Sequence, residues 1–180
     1  MIKIILLVLC FLCVQNDEPV LSWNASRKLS WSDFKAKPNK SDSAVAITAS
    51  GITFGFSITQ TSNNNVVSFT SEVHAHFYPE QSWYKMSVAN NHILGHEQLH
   101  FDITELFARK FRYRISQLDV SNSIRRQLNK IDKEINRALS QMQNKYDNET
   151  DYSRNFDFQS KWKNFIATEL DKFSNFKSVD

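Results

Sequence analysis

At Pro79 the apolar pattern of this 180-residue chain changes period. Before it, from Ala44 to Thr59 and again from Val66 to Tyr78, apolar and polar residues alternate and Val, Ile, Thr and Phe predominate. Alternation sends successive side chains to opposite faces, so these stretches predict two antiparallel strands, with Thr61-Ser-Asn-Asn-Asn65 as the turn between them. Gly51 and Gly55 are expected to mark a bend or bulge. After Pro79 the apolar residues fall three and four apart. Ile93, Leu94, Phe101, Leu106, Phe107 and Phe111 predict one long helix from about Ser87 to Gln117, ended by Asp119-Val-Ser-Asn122. Ile124, Leu128, Ile131, Ile135, Leu139 and Met142 then make a second, amphipathic helix. Tyr146 to Asn155 reads as a polar loop, and a last helix from about Phe156 buries Trp162, Ile166, Leu170 and Phe173. Strands first and helices afterwards is the order of an α+β domain rather than a doubly wound sheet.

Residues 1–16 have a different character. One lysine precedes an unbroken apolar run from Ile4 to Val14, after which the chain turns polar. That is the layout of a secretory signal peptide, and the run is too short for the roughly 20 residues that span a bilayer. We therefore expect a leader over residues 1–16, a single domain over 17–180, and a secreted, periplasmic or cell-envelope location without a membrane anchor. Both cysteines, Cys10 and Cys13, lie in the leader. A metal in the mature domain would then be held by His, Asp, Glu or Tyr, not by thiolate. The formal charge of +3 is nearly neutral and its cations are interspersed with acids, so no nucleic-acid partner is expected. Charge and pattern leave the oligomeric state open.

The expected long helix contains Ile93-Leu-Gly-His-Glu-Gln-Leu-His-Phe101. Residues four apart share one helix face, so His96 and His100 can offer two imidazoles to one ion. Glu97 stands about 100° round from His96, where its carboxylate can reach a water beside the metal. Two His ligands and an adjacent carboxylate base are the parts of zinc-dependent peptide hydrolysis. His92 extends the row, but eight residues of helix put it about 12 Å from His100, so it is expected at the helix start or behind the ligands. His74 and His76 lie two apart on one strand face, expected to look toward solvent. Glu105 is nearly opposite His96 on the helix and is expected to pair with Arg109. The third ligand must then come from elsewhere. The polar stretch Tyr146 to Tyr152 offers Asp147, Glu149, Asp151 and Tyr152.

Leu29-Ser-Trp-Ser-Asp-Phe34 with Lys35 and Pro38, Gly95-His-Glu-Gln-Leu-His-Phe-Asp-Ile-Thr-Glu105 with Ala108 and Arg109, and Tyr146-Asp-x-Glu-Thr150 with Gln159 and Trp162 resemble the bacterial family called "domain of unknown function 922". The resemblance covers most of the chain after the leader. It implies a secreted zinc-dependent protease with the zincin fold, in which His96 and His100 bind Zn2+ and Glu97 is the catalytic acid and base. It also implies a departure. Where the family pattern has Thr-x-His-Gly, this chain has Thr150-Asp151-Tyr152-Ser153, so Tyr152 takes the place of a histidine ligand, with Asp151 or Glu149 as substitutes.

The expectation is thus a zincin-like α+β domain that hydrolyses peptide or protein substrates, with an extended substrate laid along a free edge of the Val66–Tyr78 strand. The alternative is an envelope binding or structural protein of the same shape that holds metal weakly or not at all.

Overall fold

The computed structural model describes residues 18–39 and 41–178, so the expected leader lies outside the described residues. The strands are β1 (Leu21–Ser22), β2 (Ala46–Ile47), β3 (Ser50–Gln60), β4 (Val66–Phe77) and β5 (Trp83–Tyr84). The helices are α1 (Asn91–Ser116), α2 (Ile124–Glu149) and α3 (Phe156–Lys172). The fold is α+β, as its element order predicts. No helix among the described residues is long and apolar enough to cross a membrane.

The main sheet has the order β1-β4-β3, and all its pairs are antiparallel. In β3, half-buried Ile52, Phe54, Phe56 and Ile58 alternate with exposed Thr53, Gly55, Ser57 and Thr59. In β4, buried Val73, Ala75 and Phe77 alternate with His74 and His76. One face therefore meets the helices and the other carries hydroxyls and imidazoles, which follows from the two-residue period. Register slips between Thr59 and Gln60, so the bulge sits beside the turn at Asn64 and not at Gly51 or Gly55, both of which stay in register. The expected free edge is also relocated. β4 is the middle strand, whereas β3 pairs only with β4 among the described residues and leaves its other side open.

A short second sheet pairs β2 with β5, and Trp31, Phe34 and Tyr84 stack beside it. This gives the arm before the strands its anchor. α1 is the central helix: Phe101, Ile103, Leu106, Phe107, Ala108 and Phe111 are all buried, although they point in every direction around its axis. A helix apolar all round must be enclosed, and α1 lies between the sheet on one side and α2 and α3 on the other. Asn90 caps its first turn, its side chain accepting from Ile93 N at 3.0 Å.

α2 buries Ile124, Leu128, Ile131, Ile135 and Leu139 as expected, then continues through the stretch read as a loop. Tyr146 lies four residues beyond Met142 on the same stripe and is fully buried. The chain leaves α2 in a left-handed turn with φ of 49°, 51° and 72° at Asp151, Tyr152 and Ser153. α3 follows, capped by Asn155, with Trp162 and Ile166 in the core.

Candidate metal centre

His96 and His100 stand one turn apart on the face of α1 turned toward α2. Their Nε2 atoms are 3.1 Å from each other. Asp147, near the end of α2, places its Oδ1 3.1 Å from His96 Nε2 and 2.9 Å from His100 Nε2. Three potential ligand atoms thus form a nearly equilateral triangle. Ligand atoms about 2.1 Å from a tetrahedral zinc lie about 3.4 Å apart, so little adjustment would make this triangle the base of such a site. Among the described residues it is the one group of three or more metal-binding side chains whose ligand atoms converge.

The surroundings orient these atoms. His100 Nδ1 donates to Gln143 Oε1. The amide of Gln143 has no freedom to flip, because its Nε2 donates to the His100 carbonyl at 2.9 Å and to Thr104 Oγ1 at 3.3 Å. With one proton held on Nδ1, loss of the proton on Nε2 leaves the His100 Nε2 lone pair facing the triangle, the arrangement usual for a metal-binding histidine. His96 is buried against the Tyr146 ring, stacked at 4.5 Å, and its Nδ1 has no partner. The Tyr146 hydroxyl donates to the His96 carbonyl at 3.4 Å.

Burial alone would raise the Asp147 carboxyl, but hydrogen bonds from His100 and His96 outweigh it and hold the group well below the usual carboxylate range. Burial opposes a charged His100, yet the bond to Asp147 and the nearby Glu97 charge raise its pKa above the ordinary value. Burial, with Glu97 and Asp147 close by, pushes the Tyr146 phenol far upward, so it stays neutral. Glu97 is itself buried, and among the described residues no side chain or backbone N–H bonds its carboxylate. The loop before β3 packs next to it, Thr48 Oγ1 donating to the Glu97 carbonyl at 3.3 Å.

These shifts have opposite consequences for the metal-free and metal-bound chain. A raised His100 contributes stability below its unfolded pKa of about 6.5, lost as pH rises through the folded value. A depressed Asp147 contributes stability above its unfolded value of about 3.9, lost as pH falls through the folded one. The metal-free pair is therefore fully stabilising between roughly pH 4 and 6.5. A metal must displace the His100 proton. Its apparent affinity should fall about tenfold per unit as pH drops below the raised His100 value. Chelator-competition titrations at about pH 5.5 and 7.5 check this; equal affinities would refute it.

The other expected residues are placed as follows. Glu149 accepts from Trp162 Nε1 at 2.8 Å and faces Lys145. Asp151 pairs with Arg154 at 2.6 Å. Tyr152 is 61% exposed, with the Arg154 guanidinium over its ring. None of these three stands with the histidines. Glu149, still in α2, is turned toward α3, the left-handed turn carries Asp151 and Tyr152 outward, and the carboxylate that reaches inward is Asp147, one helical turn after Gln143. His92 lies outside the triangle as well: its Nε2 donates to the Ser153 carbonyl at 2.7 Å and its ring stacks on Phe156 at 3.7 Å. His74 and His76 stack on each other on the outer face of β4. Gln143 and Tyr146 had no place in the sequence reading of the site. Their signal was the continuation of the α2 stripe from Met142 to Tyr146, which puts Gln143 and Asp147 together on the neighbouring face.

Compared with known proteins, residues 25–157 match the family described as "Bacterial protein of unknown function (DUF922)". No curated protein and no solved structure matches the chain.

Proposed function

We propose, for a chain that belongs to the DUF922 family of bacterial proteins of unknown function, the activity of an exported zinc-dependent metallopeptidase. The observation that supports this most is the convergence of His96, His100 and Asp147 on one point beside a buried, unbonded Glu97. Two imidazoles and one carboxylate are a donor set that catalytic zinc uses, with the fourth position left for water or substrate. His96, His100 and Asp147 would hold the ion, which supplies a Lewis acid for a carbonyl oxygen and for water.

The chain's own groups do the rest. Glu97 takes a proton from the water that adds to the scissile carbonyl carbon. It then delivers that proton to the amine nitrogen as the C–N bond breaks. Gln143 keeps the His100 tautomer fixed, and the neutral Tyr146 closes the back of the site against solvent. The open edge of β3 begins at Ser50, near the Glu97 backbone, and offers an extended peptide an antiparallel partner.

Replacing Glu97 with Gln separates binding from chemistry. The variant is expected to keep its zinc and to lose turnover of a quenched fluorescent peptide library by about 10²–10⁴-fold. Undiminished hydrolysis in metal-replete Glu97→Gln protein would sink the assignment.

A further inference from the structure

We propose that the open edge of β3 is a self-association site, where a second copy of this chain adds its own β3 antiparallel and makes one continuous sheet. The direction of the backbone groups sets up the edge. Trp23 N donates to the Ala75 carbonyl on the β1 side of β4, so the even-numbered residues of β4 bond β3. Their partners in β3 are Gly51, Thr53, Gly55 and Ser57. Ile52, Phe54, Phe56 and Ile58 therefore turn their N–H and C=O groups to the open side, and no group among the described residues bonds them there.

An open row of backbone donors and acceptors is a template for another strand, and proteins blunt such edges with charge, proline, a bulge or a cover. The opposite edge of this sheet is managed in that way: β1 covers Ala75 and Phe77, and the Arg112 guanidinium donates to the Val73 carbonyl. β3 has none of these devices over its regular stretch. Its 11 residues, Ser50–Gln60, include no charged residue and no proline, and its register slip, between Thr59 and Gln60, lies past Ile58.

The order of residues selects the occupant. Ile52-Thr-Phe-Gly-Phe-Ser-Ile58 reads almost the same in both directions about Gly55. Two copies run antiparallel about a two-fold axis at Gly55 set Ile52 opposite Ile58, Phe54 opposite Phe56 and Thr53 opposite Ser57, so one patch complements itself. The apolar pairs fall on the helix side of the joined sheet and the hydroxyl pairs on its outer side. The outward-turned residues meet as hydrogen-bonded pairs, about eight bonds in all, and the half-buried phenylalanines gain cross-strand aromatic neighbours. A slip of one residue would turn the second copy's apolar face to the opposite side of the sheet. At the axis the two Gly55 residues form the closely spaced kind of pair, with Cα atoms about 4.5 Å apart. A peptide laid along Ile52–Ile58 and the second copy exclude each other, and the pairing holds whether or not the chain cleaves peptides.

Sedimentation equilibrium of the purified chain is expected to show a dimer with a dissociation constant below about 100 µM. A Cβ at Gly55 meets no atom within 4 Å, and φ there is not positive, so Gly55→Lys should fold with an unchanged circular dichroism spectrum. It sets two ammonium groups face to face at the axis and should weaken the dimer by about fivefold or more. Register is read independently, by incubating single-cysteine variants in a Cys10→Ser, Cys13→Ser background with oxidised glutathione. Gly55→Cys should give a cross-linked dimer, because about 4.5 Å suits a disulfide. Thr53→Cys should not, since its two copies lie four residues apart along the strands, about 14 Å. A wild-type chain that is monomeric at about 100 µM, the result expected if only a peptide or another protein fills the edge, would overturn the proposal. So would a dimer as tight in Gly55→Lys as in wild type, or cross-linking of Thr53→Cys equal to that of Gly55→Cys.

Discussion

Changing Asp147 to Ala is expected to lower zinc affinity by more than about a hundredfold, the upper end of what loss of a mere supporting residue costs. The argument rests on geometry. One oxygen of Asp147 lies 3.1 and 2.9 Å from the two histidine nitrogens, and no other described carboxylate joins that cluster. Removal leaves two ligands where a catalytic zinc site needs three. Tyr152→Phe, Glu149→Gln and Asp151→Asn, which alter the oxygen donors swung away from the site, should leave zinc content unchanged. Metal analysis of the four purified variants with a chelator-competition titration distinguishes the cases. Loss of zinc in Tyr152→Phe but not in Asp147→Ala would mean that the ligand set proposed here is wrong.

The second large effect concerns stability. Glu105 has no exposed surface and accepts from Arg109 Nε at 2.8 Å, with Arg112 Nη1 at 3.4 Å. The two arginines in turn clamp distant chain. Arg109 donates to the Leu170 carbonyl at the end of α3, and Arg112 donates to the Val73 carbonyl of β4 and the Phe176 carbonyl near the C-terminus. Glu105→Ala would leave two cations without their shared counter-charge, Arg109 among them buried. Breaking a buried pair from one side costs about 3–5 kcal/mol, a large part of the roughly 5–15 kcal/mol that a domain commands. Urea unfolding of the metal-free protein measures it. A change below about 1 kcal/mol would show that the network is not a structural clamp.

Where periodicity was strong, the sequence predicted the elements closely. The alternation of β3 and β4 and the four-residue spacing of α2 survive because each reflects one buried face. The misjudged segment was Tyr146 to Asn155, where polar residues read as a loop although a single buried tyrosine carries the helix on to Glu149. Composition there reports the exposed side of α2, whereas its fate was decided by one residue against His96. The same segment governed the site: His96, Glu97 and His100 could be read from spacing on one helix, but Asp147 depends on how two helices pack, which local pattern does not encode. Ser153 holds a left-handed φ of 72°, a conformation that glycine would adopt without steric cost.

The triangle joins positions 51 residues apart in the chain, one in the central helix and one at the end of its neighbour. An ion shared between them would act as a removable cross-link, adding RT ln(1 + [M]/Kd) to the folding free energy, about 4.1 kcal/mol when free metal is a thousandfold above its dissociation constant. If the chain is exported, as proposed, it meets whatever metal its surroundings contain. Metal scarcity would then shorten the life of the molecule, by exposing it more often to proteases, as well as silence the proposed chemistry.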